Sequence, residues 1–325
     1  MVYCSSEAKE IMNTWGGERK PFLFVVDFEM SAIRLMELDK PLPENLAFSF
    51  SFGNRIISSN SFNKPIRVVK HPVSFETYSK AYNTVLQNIK AGNSFLVNLT
   101  FPTQIETDYT LRGLYNISKA RYKLLLDNEF LVFSPETFVT IKNGVISSYP
   151  MKGTIKAADH QAREKILSDS KETAEHYTIV DLIRNDLSMV ATNVKVSKLR
   201  YIDTIKTHEG ELLQVSSEIT GKLPNDYRKK LGNIIFKLLP AGSVTGAPKH
   251  KTLKIIEDVE IEKRGYYTGI CGIFDGKDLV SAVMIRFIEY KNGKMYFRSG
   301  GGITFKSNAE TEYNELIDKV YVPIG

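Results

Sequence analysis

The sequence predicts an α+β fold that is built mainly from antiparallel sheet. Turn dipeptides join strand-like segments at Asn143-Gly144, Asp275-Gly276 and Asn292-Gly293. Such dipeptides favour tight hairpins because Asn, Asp and Gly tolerate positive φ. Segments with helical spacing of apolar residues lie among these hairpins, and strand-helix-strand units do not recur at regular intervals. We therefore expect one large α+β domain.

The first quarter of the chain gives a polar segment, two strands and a helix. Residues 1–21 are polar and without periodicity, so we expect them to be peripheral or poorly ordered and the domain to span 22–325. A dense apolar run at 22–28 predicts a buried strand, and alternation at 46–52 predicts a half-buried one. Apolar residues at helical spacing predict a helix over 75–91.

The rest of the chain alternates between extended and helical patterns. Residues 92–100 are extended in pattern, and hairpins are expected within 129–149 and 266–299. The stretch 158–190 predicts one interrupted helix or two successive helices. Three more helices are predicted at 225–239, 249–260 and 309–320.

Composition and charge exclude several classes of protein. The 325 residues carry 43 basic and 37 acidic side chains, a net charge of +6 that only weakly favours an anionic partner. The basic residues are spread along the chain and form no recognisable nucleic-acid module, so no nucleic-acid partner is expected. Cys4 and Cys271 are far apart, which predicts neither a disulfide framework nor a zinc site. No early apolar run is long enough to cross a bilayer, so we expect a cytoplasmic protein without a membrane partner.

Two pairs of glutamates lie three residues apart in predicted helices. The pairs are Glu172 with Glu175 and Glu312 with Glu315. Helical spacing puts each pair on one face, and converging carboxylates offer the hard oxygen ligands that suit Mg²⁺. The alternative is that these faces are merely solvated, with Ser307 to Glu310 forming a capping box at a helix start.

Two glycine-containing segments could hold an anion. Residues 300–302 are three consecutive glycines between a strand pattern and a helix, where backbone amides can approach a carboxylate. The segment 242–249 resembles a phosphate-binding loop in composition. It lacks the GxxxxGK[ST] spacing, so it is not a nucleotide-binding P-loop. It is either an anion loop or a tight helix-entry turn with Pro248 near the first helical position.

Lys152 and Glu136 are single residues in positions that chemistry can use. Lys152 follows a predicted hairpin and a proline, where desolvation would lower the pKa of an amine and make it a nucleophile or base. Most single lysines instead keep the amine in water. Glu136 lies at a turn between strands, where a carboxyl group is either a turn residue or a general acid.

Taken together from about residue 75 to 322, these segments resemble the chorismate-utilising enzymes. That family contains anthranilate synthase component I, aminodeoxychorismate synthase component I, isochorismate synthases and salicylate synthases. The resemblance rests on the ordered set GNSFLVNLT (92–100), SPE (134–136), PMKGT (150–154), EH (175–176), VDLIRNDL (180–187), SVTGAPK (243–249), RGYYTG (264–269), IR (285–286), GGGI (300–303) and the helix that carries Glu312 and Glu315.

The resemblance implies a two-sheet antiparallel sandwich flanked by helices. A lysine at the position of Lys152 is typical of the aminodeoxychorismate synthases of the family. It implies amination of chorismate by ammonia to 4-amino-4-deoxychorismate, the precursor of p-aminobenzoate for folate. Lys152 would then attack ring carbon C2, and Glu136 would protonate the hydroxyl that leaves C4.

The same resemblance implies a Mg²⁺ cofactor and a dicarboxylate pocket. Mg²⁺ would be bound by Glu175 and Glu315 and supported by Glu172 and Glu312. The implied substrate-binding residues are Arg286 and Tyr267 for the enolpyruvyl carboxylate, with Ser243, Gly301, Gly302 and Lys319 completing the anion pocket.

Departures from the family pattern leave two alternatives open. Leu96 stands where the family usually has Gln, and where isochorismate formers have the Lys that activates water, so isochorismate synthesis is disfavoured. Gln214 replaces the usual His, and residues 155–157 replace a common Arg-Pro-Arg. The rivals are an anthranilate synthase, for which Lys152 is the wrong residue, and a catalytically silent chorismate-binding homologue. Because no glutaminase signature is present, a separate glutamine amidotransferase subunit is expected to supply the ammonia.

Overall fold

The fold consists of two antiparallel sheets with helices packed around them. A computed structural model describes residues 2–56, 66–156, 161–168, 170–207 and 210–324. The strands are β1 (Val2–Tyr3), β2 (Phe22–Val26), β3 (Ile33–Glu37), β4 (Leu46–Phe50), β5 (Gly53–Arg55), β6 (Val69–His71), β7 (Leu96–Glu106), β8 (Tyr122–Leu126), β9 (Phe130–Ser134), β10 (Thr137–Lys142), β11 (Val145–Ser148), β12 (Met151–Lys156), β13 (Thr192–Thr207), β14 (Gly210–Lys222), β15 (Gly246–Ala247), β16 (Ile270–Phe274), β17 (Leu279–Val283), β18 (Phe287–Lys291) and β19 (Lys294–Ile303). The helices are α1 (Ser5–Gly17), α2 (Phe75–Lys90), α3 (Leu111–Ile117), α4 (Ala162–Ser168), α5 (Ser170–Ser188), α6 (Leu231–Leu238), α7 (Lys249–Val259) and α8 (Ala309–Asp318).

Strand order separates the two sheets cleanly. The first sheet runs β1-β3-β2-β16-β17-β10-β11-β14-β12, with β13 paired to β14. The second runs β15-β7-β19-β18-β9-β8-β4-β5, with β6 paired to β7. Every strand pair is antiparallel. The predicted α+β class is confirmed.

The core of the sandwich lies between the two sheets. Leu23 and Val25 of β2 pack in one fully buried cluster with Leu124 and Val132 of the second sheet. The opposite face of β2 contributes to a different cluster, which packs against helices. Strand β2 is therefore buried on both faces, which explains why its sequence is continuously apolar rather than alternating.

The expectation of a peripheral N-terminal segment is wrong. Residues 1–21 contain β1, which pairs with β3, and helix α1, which packs against α6. Ala8 and Met12 on α1 are 0% exposed. A Cβ added at Gly16 would lie 2.2 Å from the Arg228 carbonyl oxygen, so close approach requires glycine there. Half-buried Ile11 and Trp15 pack beside Ala8 and Met12, so the apolar residues of α1 lie at helical spacing within a mostly polar segment.

Most other elements fall where the sequence predicts them. Helix α2 matches the prediction for 75–91 and is capped by Ser74, which accepts from the Thr77 amide. The 158–190 stretch forms α4 and α5; residues 157–160 and 169 lie outside the described residues. Helix α8 is capped by Asn308, so the capping box predicted from Ser307 is wrong. No helix within the described ranges is long and apolar enough to cross a membrane.

Candidate active site

Glu136 and Ser243 meet at the centre of the candidate site. Glu136 follows β9 in a two-residue connection to β10, and the Ser134 hydroxyl accepts the Glu136 amide at 3.1 Å. Ser243 lies in a 3₁₀ turn, Gly242–Val244, just after α6. Its hydroxyl donates a hydrogen bond to the Glu136 carboxylate. Two predicted site residues that are 107 positions apart are therefore in contact.

A small cleft of about 20 Å³ opens beside this contact. Its walls are mostly apolar, and its polar side chains are Glu136, Ser243, Thr137, Ser148 and Asp186. Two of these groups are used within the protein: Thr137 Oγ1 bonds the Tyr122 hydroxyl at 2.7 Å, and Ser148 Oγ donates to the Phe138 carbonyl at 3.0 Å. The cleft therefore presents Glu136, Ser243 and Asp186 to a ligand.

Asp186 comes from helix α5 on the far wall of the cleft. Its Oδ2 atom pairs with Lys249 Nζ at 2.6 Å, and Lys249 also donates to the Leu238 carbonyl at 2.9 Å. Burial raises the pKa of the Asp186 carboxyl, and the adjacent Lys249 ammonium opposes that shift. The pair links α5 to the start of α7 and to the end of α6.

The three consecutive glycines are part of a strand rather than a loop. Gly301 and Gly302 lie in β19 opposite Leu99 and Asn98 of β7, so the glycines that the sequence places between a strand pattern and a helix belong to the strand itself. The ladder continues through them because Gly can pair in a strand as any residue does, and none of the three has positive φ. The three glycines are partly exposed, and helix α8 packs against their strand.

Helix α8 brings its charged side chains onto this glycine strand. A Cβ added at Gly301 would lie 3.4 Å from Glu312 Oε2 and 3.8 Å from Lys319 Nζ. Lys319 donates to the Gly300 carbonyl at 2.9 Å and pairs with Glu315 at 2.7 Å. Glu312 and Lys319 therefore lie within van der Waals distance of the position that a Cβ at Gly301 would occupy.

The four predicted metal ligands differ in exposure. Glu175 and Glu312 are 8% and 3% exposed, Glu172 is half-buried, and the Glu315 side chain is 49% exposed. Burial raises the pKa of Tyr78, and the charges of Glu312 and Glu315 raise it further, so both carboxylates act on the same part of α2. Over the described ranges, no three His, Cys, Asp or Glu side chains lie close enough together to hold a metal ion.

The donor set nevertheless matches the chemistry of Mg²⁺. Mg²⁺ prefers oxygen ligands and is commonly held by one or two carboxylates, with water and substrate oxygens filling the remaining positions. Buried Glu175 and Glu312 carry the kind of hard oxygen atoms that such an ion needs. The magnesium cofactor remains a prediction.

Arg264 ties the Ser243 turn to the glycine strand. Its side chain is 1% exposed and forms an ion pair with Glu260 at 2.6 Å. One guanidinium nitrogen donates to the Val244 carbonyl at 2.7 Å and another to the Asn98 carbonyl at 2.6 Å. Asn98 lies opposite Gly302 in the β7–β19 ladder. The two halves of the candidate site are therefore joined through a single buried arginine.

Arg286 and Tyr267 make no described contact with Glu136 or Ser243. Arg286 has φ of 52°, and its guanidinium lies 4.8 Å from the centroid of the Tyr321 ring. None of the described carboxylates forms an ion pair with it. A strained backbone at a non-glycine residue is often kept where function requires it. Tyr267 is 3% exposed, and burial raises its pKa to about 12, so its hydroxyl remains protonated at neutral pH.

Lys152 lies in β12, where it is opposite Val215 of β14. A register shift follows between Lys152 and Thr154. The Lys152 side chain lies outside the described residues, so its predicted role remains a prediction. Leu96 is 3% exposed in the apolar core, and Gln214 is paired in β14 opposite Thr154.

Sequence reasoning did not select two residues that organise the site. Asp186 and Arg264 both stand inside motifs that the sequence reveals, but neither was assigned a role toward a ligand. The signal for Arg264 is a basic side chain four residues after Glu260, a spacing that allows an ion pair. Its contacts with β7 and with the Ser243 turn depend on the tertiary fold.

The model of the chorismate binding enzyme family matches residues 36–325, and the chain belongs to that family. It is 49% identical over 315 residues to a Haemophilus influenzae protein described as an uncharacterized PabA-like protein, covering 97% of this chain and 96% of that protein.

Two further comparisons relate the chain to named synthases. It is 32% identical over 259 residues to aminodeoxychorismate synthase component 1 of Salmonella typhimurium, and the match covers 75% of this chain and 56% of that protein. The crystal structure of anthranilate synthase component I from Streptococcus pneumoniae is similar with a TM-score of 0.65 and 28% identity, covering 80% of this chain and 60% of that chain.

Proposed function

We propose that this chain is an aminodeoxychorismate synthase, which replaces the C4 hydroxyl of chorismate by an amino group. The proposal is carried by one observation: the Glu136 carboxylate lines a cleft and is held there by the Ser243 hydroxyl. A carboxyl group in this setting suits a general acid for a leaving hydroxyl. Lys152 follows two residues after Pro150, which lines the same cleft. A lysine at this position is typical of the aminating members that the chain resembles.

The reaction consists of two displacements at the ring. The neutral Lys152 amine forms a bond to C2, the double bond shifts, and the C4 hydroxyl leaves as water with a proton from Glu136. Ammonia then forms a bond to C4, the double bond shifts back, and the C2–lysine bond breaks. The Glu136 carboxylate takes the surplus proton from the new ammonium group. Glu136 and Lys152 thus return to their starting forms, and water is the second product.

The remaining residues bind and orient the dicarboxylate. Arg286 supplies a guanidinium that no described carboxylate neutralises, and Tyr267 supplies a protonated hydroxyl. The Gly301 and Gly302 amides would help to bind a carboxylate, and Lys319, which lies beside Gly301, would add positive charge. Ser243 would contribute to substrate binding and would also orient Glu136 through its hydrogen bond.

Bound Mg²⁺ would be held by Glu175 and Glu315, with Glu172 and Glu312 in support. It supplies positive charge that neutralises a substrate carboxylate. The chain itself contributes the carboxylates and the surrounding burial, since Glu175 and Glu312 are largely withdrawn from water.

The ammonia source in this proposal is a separate glutamine amidotransferase subunit. The chain lacks a recognisable nucleophilic cysteine for glutamine hydrolysis: Cys271 is buried in β16, and burial raises the pKa of its thiol. Cys4 is exposed at the start of α1, far in sequence from the cleft residues. Free ammonium is expected to substitute for the partner in an assay.

A rival within the family is anthranilate synthesis, in which ammonia enters at C2 and pyruvate is eliminated. A lysine that occupies C2 would obstruct that addition. The catalytically silent alternative requires chorismate binding without turnover. Product analysis separates these alternatives.

Lys152→Ala tests the proposal, with Lys142→Ala as its control. Lys142 is an exposed lysine at the end of β10 in the same sheet, so its loss should leave the rate unchanged. Loss of the Lys152 nucleophile should lower the amination rate with ammonium by at least about 100-fold while thermal unfolding stays similar. Unchanged turnover in Lys152→Ala would exclude the covalent route.

A further inference from the structure

The cleft beside Glu136 has a second polar end, at Asp186, that the reaction above does not use. We propose that this cleft binds neutral ammonia and that Asp186 Oδ1 accepts one of its hydrogen bonds. This inference rests on the proposed function, because it assigns the nucleophile of that reaction to a place in the protein.

The chemistry requires nitrogen to arrive next to Glu136. Glu136 protonates the hydroxyl that leaves C4, and ammonia later forms its bond to the same carbon. The nucleophile must therefore be held within reach of the Glu136 carboxylate. The cleft meets this condition, since Glu136 and Ser243 form one of its walls.

The walls of the cleft favour ammonia over ammonium. They are lined by the apolar side chains of Phe138, Val139, Ile183, Leu187, Leu238 and Val283. Transfer of an ammonium ion from water into such surroundings is costly, whereas neutral ammonia needs only partners for its hydrogen bonds. The same walls disfavour bulk water, which would otherwise compete for C4.

Asp186 supplies a second carboxylate acceptor in the cleft, in addition to Glu136. The Thr137 and Ser148 hydroxyls are engaged with protein partners, and the Ser243 hydroxyl donates to Glu136. Asp186 Oδ2 is taken by Lys249, but Oδ1 makes no hydrogen bond to any residue that the structure describes. Because Lys249 already neutralises the carboxylate, the site offers an acceptor without a net charge that would select ammonium.

The glycine at position 242 connects the two ends of the cleft. A Cβ added there would lie 3.3 Å from Asp186 Oδ2 and 2.8 Å from Leu182 Cδ2. The next residue, Ser243, bonds to Glu136. Asp186 and Glu136 thus flank two successive residues of one turn, which keeps the ammonia acceptor close to the general acid.

Asp186→Asn tests the inference by separating two Michaelis constants. The Asn oxygen will turn to the Lys249 ammonium, which leaves an amide NH₂ facing the cleft and removes the acceptor. We expect the KM for ammonia, measured at saturating chorismate, to rise about tenfold, the effect of one lost hydrogen bond. The KM for chorismate should change by less than about twofold.

Asp181→Asn is the matched control on the same helix. Its carboxylate is exposed and pairs with Arg184, outside the cleft, so both KM values should match the wild type. If Asp186→Asn does not fold, Ile183→Phe, which fills the cleft with a larger apolar side chain, should raise the KM for ammonia selectively. An unchanged ammonia KM, or an equal rise in both KM values, would overturn the inference.

The two proposals fail in different ways. A wild-type chain that makes no aminodeoxychorismate from chorismate and ammonium overturns the proposed function and, with it, the ammonia site. A wild-type chain that aminates chorismate, with variants that leave the ammonia KM unchanged, overturns the ammonia site alone.

Discussion

The Ser243 hydroxyl donates its hydrogen bond to the Glu136 carboxylate. The two residues come from different parts of the fold, the β9–β10 connection and the turn after α6. A single donor therefore fixes the direction of the carboxyl group that faces the cleft. In the proposed reaction, Glu136 supplies the proton that the leaving hydroxyl needs. Ser243 orients Glu136 for that transfer.

Glu136→Gln should lower the amination rate by about 10²- to 10⁴-fold, since an amide cannot donate that proton. Ser243→Ala should lower it by only about tenfold, because it removes one hydrogen bond and leaves the acid in place. Steady-state rates with ammonium measure both. Glu76→Gln, an exposed surface change, is the control. A larger loss from Ser243→Ala than from Glu136→Gln would contradict these roles.

Glu315→Gln should weaken Mg²⁺ binding by at least about tenfold, because it removes a charged oxygen ligand. Titration calorimetry of the chain with Mg²⁺ measures the affinity independently of turnover. Glu310→Gln on the same helix is exposed and should bind Mg²⁺ as the wild type does. Equal affinity in all three proteins would show that the metal assignment is wrong.

Arg264→Lys should raise the KM for chorismate and lower stability by about 2 kcal/mol. The lysine keeps the charge opposite Glu260 but cannot bond the Val244 and Asn98 carbonyls together, which leaves buried acceptors unsatisfied. Arg298→Lys is a matched control, since Arg298 is 4% exposed in its side chain and pairs with Glu262 and Glu289. It should lose stability with an unchanged KM. Identical KM effects would mean that Arg264 has no special link to the site.

Glu29→Gln should change how stability depends on pH. Burial raises the pKa of the Glu29 carboxyl above its ordinary value of 4.5, although bonds from the Arg264 and Gly265 amides oppose the shift. The folded state therefore holds this proton more tightly than the unfolded state does, and the contribution of Glu29 to stability is lost as pH rises through the folded pKa. The unfolding free energy of the wild type relative to the variant should fall as pH rises from the ordinary pKa of 4.5 through the raised folded pKa. A rise in that difference would contradict the shift.

The fold was largely predictable because its hairpins carry explicit turn signals. Asn143 and Asn292 adopt the positive φ that their dipeptides indicate. Helix α1 packs Ala8, Ile11, Met12 and Trp15 at helical spacing against the core, but the polar residues between them obscure this pattern in the sequence. The β13–β14 hairpin was also not predicted, because three register shifts interrupt the alternation along β13.

The candidate site was predictable as a set of residues and less so as an arrangement. Glu136 and Ser243 were both selected, but their direct contact depends on how two sheets and α6 pack. Pairing with β7 keeps Gly301 and Gly302 in a strand, a placement that three consecutive glycines do not indicate in the sequence. Arg264 and Asp186 owe their importance to partners more than 60 residues away, such as Asn98 and Lys249.

Product identification tests the central claim most directly. The purified chain is incubated with chorismate, Mg²⁺ and ¹⁵N-labelled ammonium at mildly alkaline pH, and the product is examined by mass spectrometry and nitrogen-edited NMR. The account predicts 4-amino-4-deoxychorismate that carries ¹⁵N on C4 and retains the enolpyruvyl group. Anthranilate with released pyruvate, or chorismate that is bound without conversion even when an amidotransferase and glutamine are added, would contradict it.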